Sequence, residues 1–245
     1  MIDYRESSLD RLQFSSAEYA QHPVMYRSRY RTPAAAIAAN PLLNRRNATL
    51  KRAFDILFAA LVLSVHALPM LLIALAIRLE SPGPALFRQR RVGLNGRTFE
   101  MLKFRTMYHH LTRPEDCQQA SRYDPRVTRV GHWLRCLSLD ELPQLINVLH
   151  GEMSVVGPRP HAPGTRAGGR LFEDVTPNYA ARHRVRPGIT GLAQVRGWRG
   201  ETDTEEKLLG RIDSDLEYIE TWSLALDVRI IVSTMFAVLR MLNAY

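Results

Sequence analysis

A chain of 245 residues, 46% hydrophobic and 23% charged, can bury a sizeable core and is too apolar to be disordered throughout. The composition also excludes a collagen-like repeat and a disulfide-stapled mini-protein, because the only two cysteines, Cys117 and Cys136, are too few and lack metal-ligand spacing. The formal net charge is +9 and nearly all the cations are arginines, whose planar forks suit phosphate on a nucleic acid, a lipid headgroup or a nucleotide.

Residues 1–50 read as an N-terminal extension, partly disordered, with scattered arginines (Arg27, Arg29, Arg31, Arg45, Arg46) and prolines (Pro23, Pro33, Pro41). No apolar run of signal-peptide type follows the start. Residues 53–79 then turn strongly apolar, without a formal charge from Ile56 to Ile77 if His66 is neutral. An unbroken helix of this length would cover the ~30 Å hydrocarbon core of a bilayer. Pro69 falls inside the run, removes one helix hydrogen bond and frees the carbonyl of Val65. Basic residues stand on both flanks, Lys51 and Arg52 before and Arg78, Arg88, Arg90 and Arg91 after, so the run shows no inside–outside asymmetry. A re-entrant hairpin turning at Pro69, a spanning helix and a buried soluble helix all remain open on these residues.

Residues 82–105 predict two short strands around the turn Gly93-Leu94-Asn95-Gly96. A short helix is expected to end near Arg135, and Leu139, Leu142, Leu145, Ile146 and Leu149 form the apolar stripe of a helix over 138–150, stopped by Gly151. Residues 153–160 read as a short strand entering a stiff turn. Towards the end, Leu226, Ile230, Ile231, Met235, Val238, Leu239 and Leu242 line one helical face, which could pack on the core or lie in a membrane interface.

The chemistry concentrates around Asp140 and Glu141. Ser138 three positions before Glu141 is a capping-box pattern, which would make the acidic pair structural. Pro143 argues for a later helix start, leaving both carboxylates in the approach to the helix, where a nucleophile or a metal ligand could act. Arg135, Arg159 in the Gly157-Pro158-Arg159-Pro160 turn, and Lys103 and Arg105 flanking Phe104 would together make a basic pocket around that pair. Each cation alone could equally be a solvated surface residue. The glycine-rich stretch 186–194 could offer backbone amides to an anion, and His161 and His183 carry no clear signal. The layout as a whole suits Mg²⁺-assisted phosphoryl transfer.

These motifs converge. From Lys51 to Tyr245 the chain resembles the bacterial sugar transferases, the monotopic phosphoglycosyl transferases, through KRAFD (51–55), ESPGPALFRQRRVG (80–93), MLKFRTM (101–107), LSLDELPQLINVLHGEMSVVGPRP (137–160), RPGITGLAQVRG (186–197) and LDVRIIV (226–232). The resemblance implies a helix-rich α+β monotopic domain with a small β-hairpin. Its re-entrant membrane helix would be residues 51–79, with residues 80–245 forming the catalytic part at the cytoplasmic face of the bacterial inner membrane. It implies a ping-pong reaction, in which Asp140 attacks the sugar-bearing phosphate of a UDP-sugar and releases UMP, and undecaprenyl phosphate then takes the phosphosugar. Glu141 would carry Mg²⁺ with help from Asp140, Arg135 and Arg159 would bind phosphate, and Lys51 and Asp227 would pin the membrane helix, broken at Pro69, to the globular part.

One departure is Leu68-Pro69 where the family commonly has Ser-Pro, so Ser64 or His66 would have to serve the carbonyl that Pro69 frees. The stretches GPRPHA (157–162) and GWRGETDTEEK (197–207) look like the branch that transfers glucose 1-phosphate for exopolysaccharides, with UDP-galactose the next candidate. A membrane-attached basic binding protein without catalysis is the rival from another class. Few Trp and Tyr beside the basic cluster argue against nucleic acid as a partner. Membrane lipid is an expected partner, and self-association into a homo-oligomer is left open.

Overall fold

A single helix, α1 (Arg45–Glu80), dominates the computed structural model, which describes residues 40–112, 124–198, 200 and 202–239. Asn44 starts α1 by accepting from the Arg46 amide, so the helix begins inside the expected extension, before the boundary drawn at residue 51. Arg27, Arg29, Arg31, Cys117 and Leu242 lie outside the described residues. Helical geometry carries through Pro69, so the two arms expected around it form one continuous element. Ser64 and His66 bond the carbonyls of Ala60 and Val62, each one turn back, and neither serves the Val65 carbonyl as expected.

One face of α1 meets the rest of the protein towards each end. Lys51, Asp55 and Ala59 are buried near its start and Ile77 near its end, with Phe58, Val62, Met70 and Ile73 partly covered between them. The opposite face bears Leu57, Leu61, Val65, Leu68, Leu72, Leu75 and Leu79, all more than half exposed and spaced by three or four residues. The buried-soluble-helix reading fails here: only 6% of the most apolar 18-residue window is buried, whereas a soluble core helix would be mostly enclosed. By length and composition α1 could cross a membrane.

The hairpin forms as expected, with β1 (Leu86–Val92) antiparallel to β2 (Thr98–Phe104) in the register Val92 opposite Thr98 and Leu86 opposite Phe104. Asn95 and Gly96 turn the chain with φ of 55° and 74°, the left-handed region that Asn and Gly tolerate best. Helix α2 (Arg129–Cys136) follows, capped by the Thr128 hydroxyl, and then α3 (Gln144–His150). Helix α3 is shorter than expected and its buried face is rotated. Leu145 and Val148 enter the core with Gln144 and Asn147, while Leu149 is exposed. Asn147 explains the rotation. Its amide donates to the Glu100 carbonyl at 2.8 Å and its oxygen accepts the Leu102 amide at 2.9 Å, so a buried polar side chain stitches α3 to the free edge of β2.

Beyond α3, β3 (Ser154–Val156) runs into the stiff turn; β4 (Arg166–Ala167) and β5 (Arg170–Leu171) make a small ribbon, and α4 is Phe172–Val175. Strand β6 (Gly188–Thr190) pairs parallel with β3, followed by α5 (Leu192–Val195), α6 (Glu205–Thr221) and α7 (Leu224–Leu239). Helix α6 buries Leu208, Ile212, Leu216 and Ile219 at helical spacing. The first half of α7 packs on the core through Ile230, Leu226 and Ile231, whereas Met235 and Phe236 further along are about 60% exposed. The architecture is helix-rich α+β, with three small two-stranded sheets among the described residues, of which the β3–β6 pair is buried.

Candidate active site

Asp140 and Glu141 stand on a tight 3-10 turn, Leu139–Glu141, between α2 and α3. Pro143 sits just before α3, so the carboxylates lie in the approach to the helix and not in its first turn. The capping box does not form. Ser138 takes a left-handed backbone, φ 56°, with no side-chain cap bond, and the Glu141 carboxylate turns elsewhere. That backbone is costly for a residue with a Cβ and persists because the turn is held on both sides.

Three cations converge on the pair. Lys103, from β2, places its Nζ 2.9 Å from Glu141 Oε1 and 3.9 Å from Asp140 Oδ2. Arg159 pairs with both Glu141 oxygens. Arg135, from α2, is steered by a 2.8 Å bond from its Nε to the Thr106 hydroxyl, and its charge acts on Asp140. Lys103, Arg135 and Arg159 against Asp140 and Glu141 leave one net positive charge in a largely buried setting, as an incoming phosphate requires.

The two neighbouring carboxyls are shifted in opposite directions. Burial pushes the Asp140 carboxyl above the usual range, with Lys103 the largest opposing influence. Burial works against Glu141 too, but the Arg159 and Lys103 charges outweigh it and hold that carboxyl well below the ordinary range. Glu141 in turn keeps Arg159 charged. Burial lowers the Arg135 guanidinium somewhat, against the pull of Asp140.

Arg159 owes its place to a clamp. The Gly157 amide donates to the Thr190 carbonyl at 2.9 Å, and the Gly188 amide to the Pro158 carbonyl at 3.0 Å. A Cβ on Gly188 would lie 2.1 Å from the Gly157 nitrogen, so only glycine lets the two backbones approach. The glycine-rich stretch 186–194 therefore backs the Arg159 turn, and its Gly188 amide is not offered to an anion as the sequence suggested.

Arg105 is the clear displacement. Its guanidinium is buried at the C-terminal end of α1, donating to the carbonyls of Ile77, Ser81 and Pro82, and so is turned from the acidic pair. The strand ends at Phe104, which breaks the alternation that would have put Arg105 beside Lys103. Lys51 and Asp227 do meet, at 2.8 Å, in a buried cluster where Lys51 also bonds Asp55, and Asp55 accepts from the Ser154 hydroxyl and the Val155 amide. Asn147 was not singled out in the sequence, nor were Arg182 and Asp215, a buried pair touching the Arg159 backbone.

Among the described residues no group of three or more His, Cys, Asp and Glu could hold a metal. The adjacent carboxylates nevertheless fit Mg²⁺, a hard ion that takes one or two carboxylates and completes its shell with water and substrate phosphates. Glu141 receives three hydrogen bonds from Lys103 and Arg159, and a carboxylate offers about four lone-pair sites.

The model of the family described as bacterial sugar transferase matches residues 46–241. A Komagataeibacter xylinus protein named undecaprenyl-phosphate glucose phosphotransferase is 56% identical over 184 residues, 75% of this chain and 35% of the relative. Proteins named UDP-glucose:undecaprenyl-phosphate glucose-1-phosphate transferase are similar as well. That of Caulobacter vibrioides is 54% identical over 80% of this chain and 72% of its own length, and that of Escherichia coli 50% identical over 78% and 40%. The chain thus spans about a third of the first of these relatives.

Proposed function

This chain belongs to the bacterial sugar transferase family, and we propose that it transfers glucose 1-phosphate from UDP-glucose to undecaprenyl phosphate, releasing UMP. The names of its relatives support the substrates. The observation that carries the reading is the enclosure of Asp140 and Glu141 by Lys103, Arg135 and Arg159.

In the first step a carboxylate oxygen of Asp140 bonds to the sugar-bearing phosphorus, and the bond from that phosphorus to the bridging oxygen breaks, so UMP leaves with the electron pair. Lys103, only 3.9 Å from Asp140, favours its ionised form and lies ready to meet the phosphoryl oxygens. Arg159 and Arg135 supply planar, fixed donors for the remaining phosphate charge. In the second step a phosphate oxygen of the lipid carrier bonds to the same phosphorus, the aspartyl–phosphorus bond breaks, and the carboxylate is restored. Asp140 and Glu141 would hold Mg²⁺, which when bound neutralises diphosphate charge as a Lewis acid.

The long apolar helix supports attachment to a membrane, and the proposed reaction puts the protein at the cytoplasmic face of the inner membrane, where both UDP-sugar and lipid carrier are within reach. Membranes bearing the protein, incubated with radiolabelled UDP-glucose, undecaprenyl phosphate and Mg²⁺, should move label into lipid and release UMP. Asp140→Asn should abolish both while the thermal midpoint holds, since the amide keeps the shape. Undiminished UMP release by that variant, or release of UDP by the parent, would refute the reading.

A further inference from the structure

Arg182 and Asp215 lie apart from the acidic pair, yet both are only 1% exposed. Arg182 belongs to a 3-10 segment, Tyr179–Arg184, and Asp215 to α6. Nε and Nη2 of Arg182 both donate to Asp215 Oδ2, at 3.0 and 2.6 Å. The rest of the guanidinium reaches the turn that carries Arg159. Nη2 donates to the Arg159 carbonyl at 2.7 Å, and Nη1 to His161 Nδ1 at 2.8 Å. One side chain thus grips the residues on either side of Pro160.

We propose that Arg182, oriented by Asp215, is a positioning residue for phosphosugar transfer and acts through Arg159. This rests on the transferase reading above. A guanidinium is suited to the task because its donors point in fixed, coplanar directions, so three acceptors on two segments settle into one arrangement. A lysine keeps the charge but not the fork. His161 must accept at Nδ1 and is therefore neutral, consistent with burial and the surrounding arginines pushing its pKa far down. A buried ion pair of this kind is weak support for stability as such, because desolvation offsets attraction. Its value here is geometric: it links α6 to the backbone of Arg159, whose guanidinium meets Glu141, and an ångström of misplacement at a reacting phosphate can cost about a hundredfold in rate.

The test is a double-mutant cycle on kcat/KM for the UDP-sugar, read as radiolabelled transfer with the protein in membranes. Arg182→Lys should lower kcat/KM at least about tenfold in the parent and less than about twofold in an Arg159→Ala background, because the group it positions has gone. Equal losses in both backgrounds, as a purely structural role would give, overturn the proposal, and so does no loss in the parent. If Arg182→Lys does not fold, the same cycle is run with His161→Phe, which removes the acceptor. There His161→Gln, whose amide oxygen can accept from Arg182, should recover activity, and failure to recover it overturns the proposal. Absence of UMP release by the parent overturns the transferase reading as well, which separates the two failures.

Discussion

The adjacent carboxyls of Asp140 and Glu141 are shifted in opposite directions, and the difference follows from contact. Arg159 and Lys103 touch Glu141 directly, whereas Lys103 is a full ångström further from Asp140, at 3.9 against 2.9 Å. Environments that push two titratable groups apart commonly mark a division of labour. Glu141 stays an anion that organises cations, and Asp140, less neutralised, keeps the electron density that a nucleophile needs. A second residue-scale effect concerns stability. Burial, then Arg182, pushes His183 down to about 4 from an unperturbed 6.5. Between those values the unfolded chain binds a proton that the native state does not. Stability from this group is whole above about pH 6.5 and declines as pH falls towards 4, by at most about 1.4 kcal/mol per pH unit. Thermal midpoints in detergent should drop across that range, and His183→Gln should make the drop shallower. An identical slope for the variant would remove His183 as a source.

At the scale of elements, Lys103 and Arg105 are two residues apart and do unrelated work. Arg105 closes the C-terminal end of α1 with bonds to three carbonyls and the Ser81 hydroxyl, so Arg105→Ala orphans buried acceptors and should cost about 2–4 kcal/mol while leaving KM for the UDP-sugar unchanged. Lys103→Met should do the opposite, raising KM with little loss of thermal midpoint. Both quantities measured on the same preparations decide it, and a KM defect in Arg105→Ala without destabilisation would return Arg105 to the phosphate site. The role of Arg105 could not be read from the chain, because its partners lie 23 to 28 residues away and follow a helix whose end point is a tertiary fact. Local signals carried further. The turn residues Gly93-Leu94-Asn95-Gly96 located the hairpin, and Pro143 argued for a start of α3 after the acidic pair. The buried face of α3 escaped because apolar counting passes over Asn147, which earns its place through hydrogen bonds to β2. Helix α6 was passed over although Leu208, Ile212, Leu216 and Ile219 repeat at helical spacing, and with it went Asp215, whose partner is 33 positions away.

For the whole molecule the decisive fact is that one globular body fastens both ends of α1. At the start Lys51 and Asp55 join Asp227 and Ser154, and Arg52 caps the carbonyls of Val148 and Leu149. At the end Arg105 holds the last carbonyls, Glu80 accepts the Val130 amide, and Ile77 packs with Phe104 and Leu134. An undistorted helix from Lys51 to Ile77 would span ~39 Å, more than the ~30 Å hydrocarbon core. Were α1 to cross, the same polar body would need to reach both surfaces, and charged groups such as Lys51 and Asp227 would be carried to bilayer depth at a cost of several kcal/mol. A helix that dips in with its Leu57–Leu79 stripe towards lipid keeps every one of these charges on one side. The prediction is topological. With Cys117 and Cys136 replaced by serine, single cysteines at the exposed positions Arg46→Cys and Pro84→Cys should both react with an impermeant thiol reagent in inside-out vesicles and neither in right-side-out vesicles. Reaction of the two from opposite sides would mean that α1 crosses the membrane and that the contacts fastening its two ends do not exist together in the bilayer.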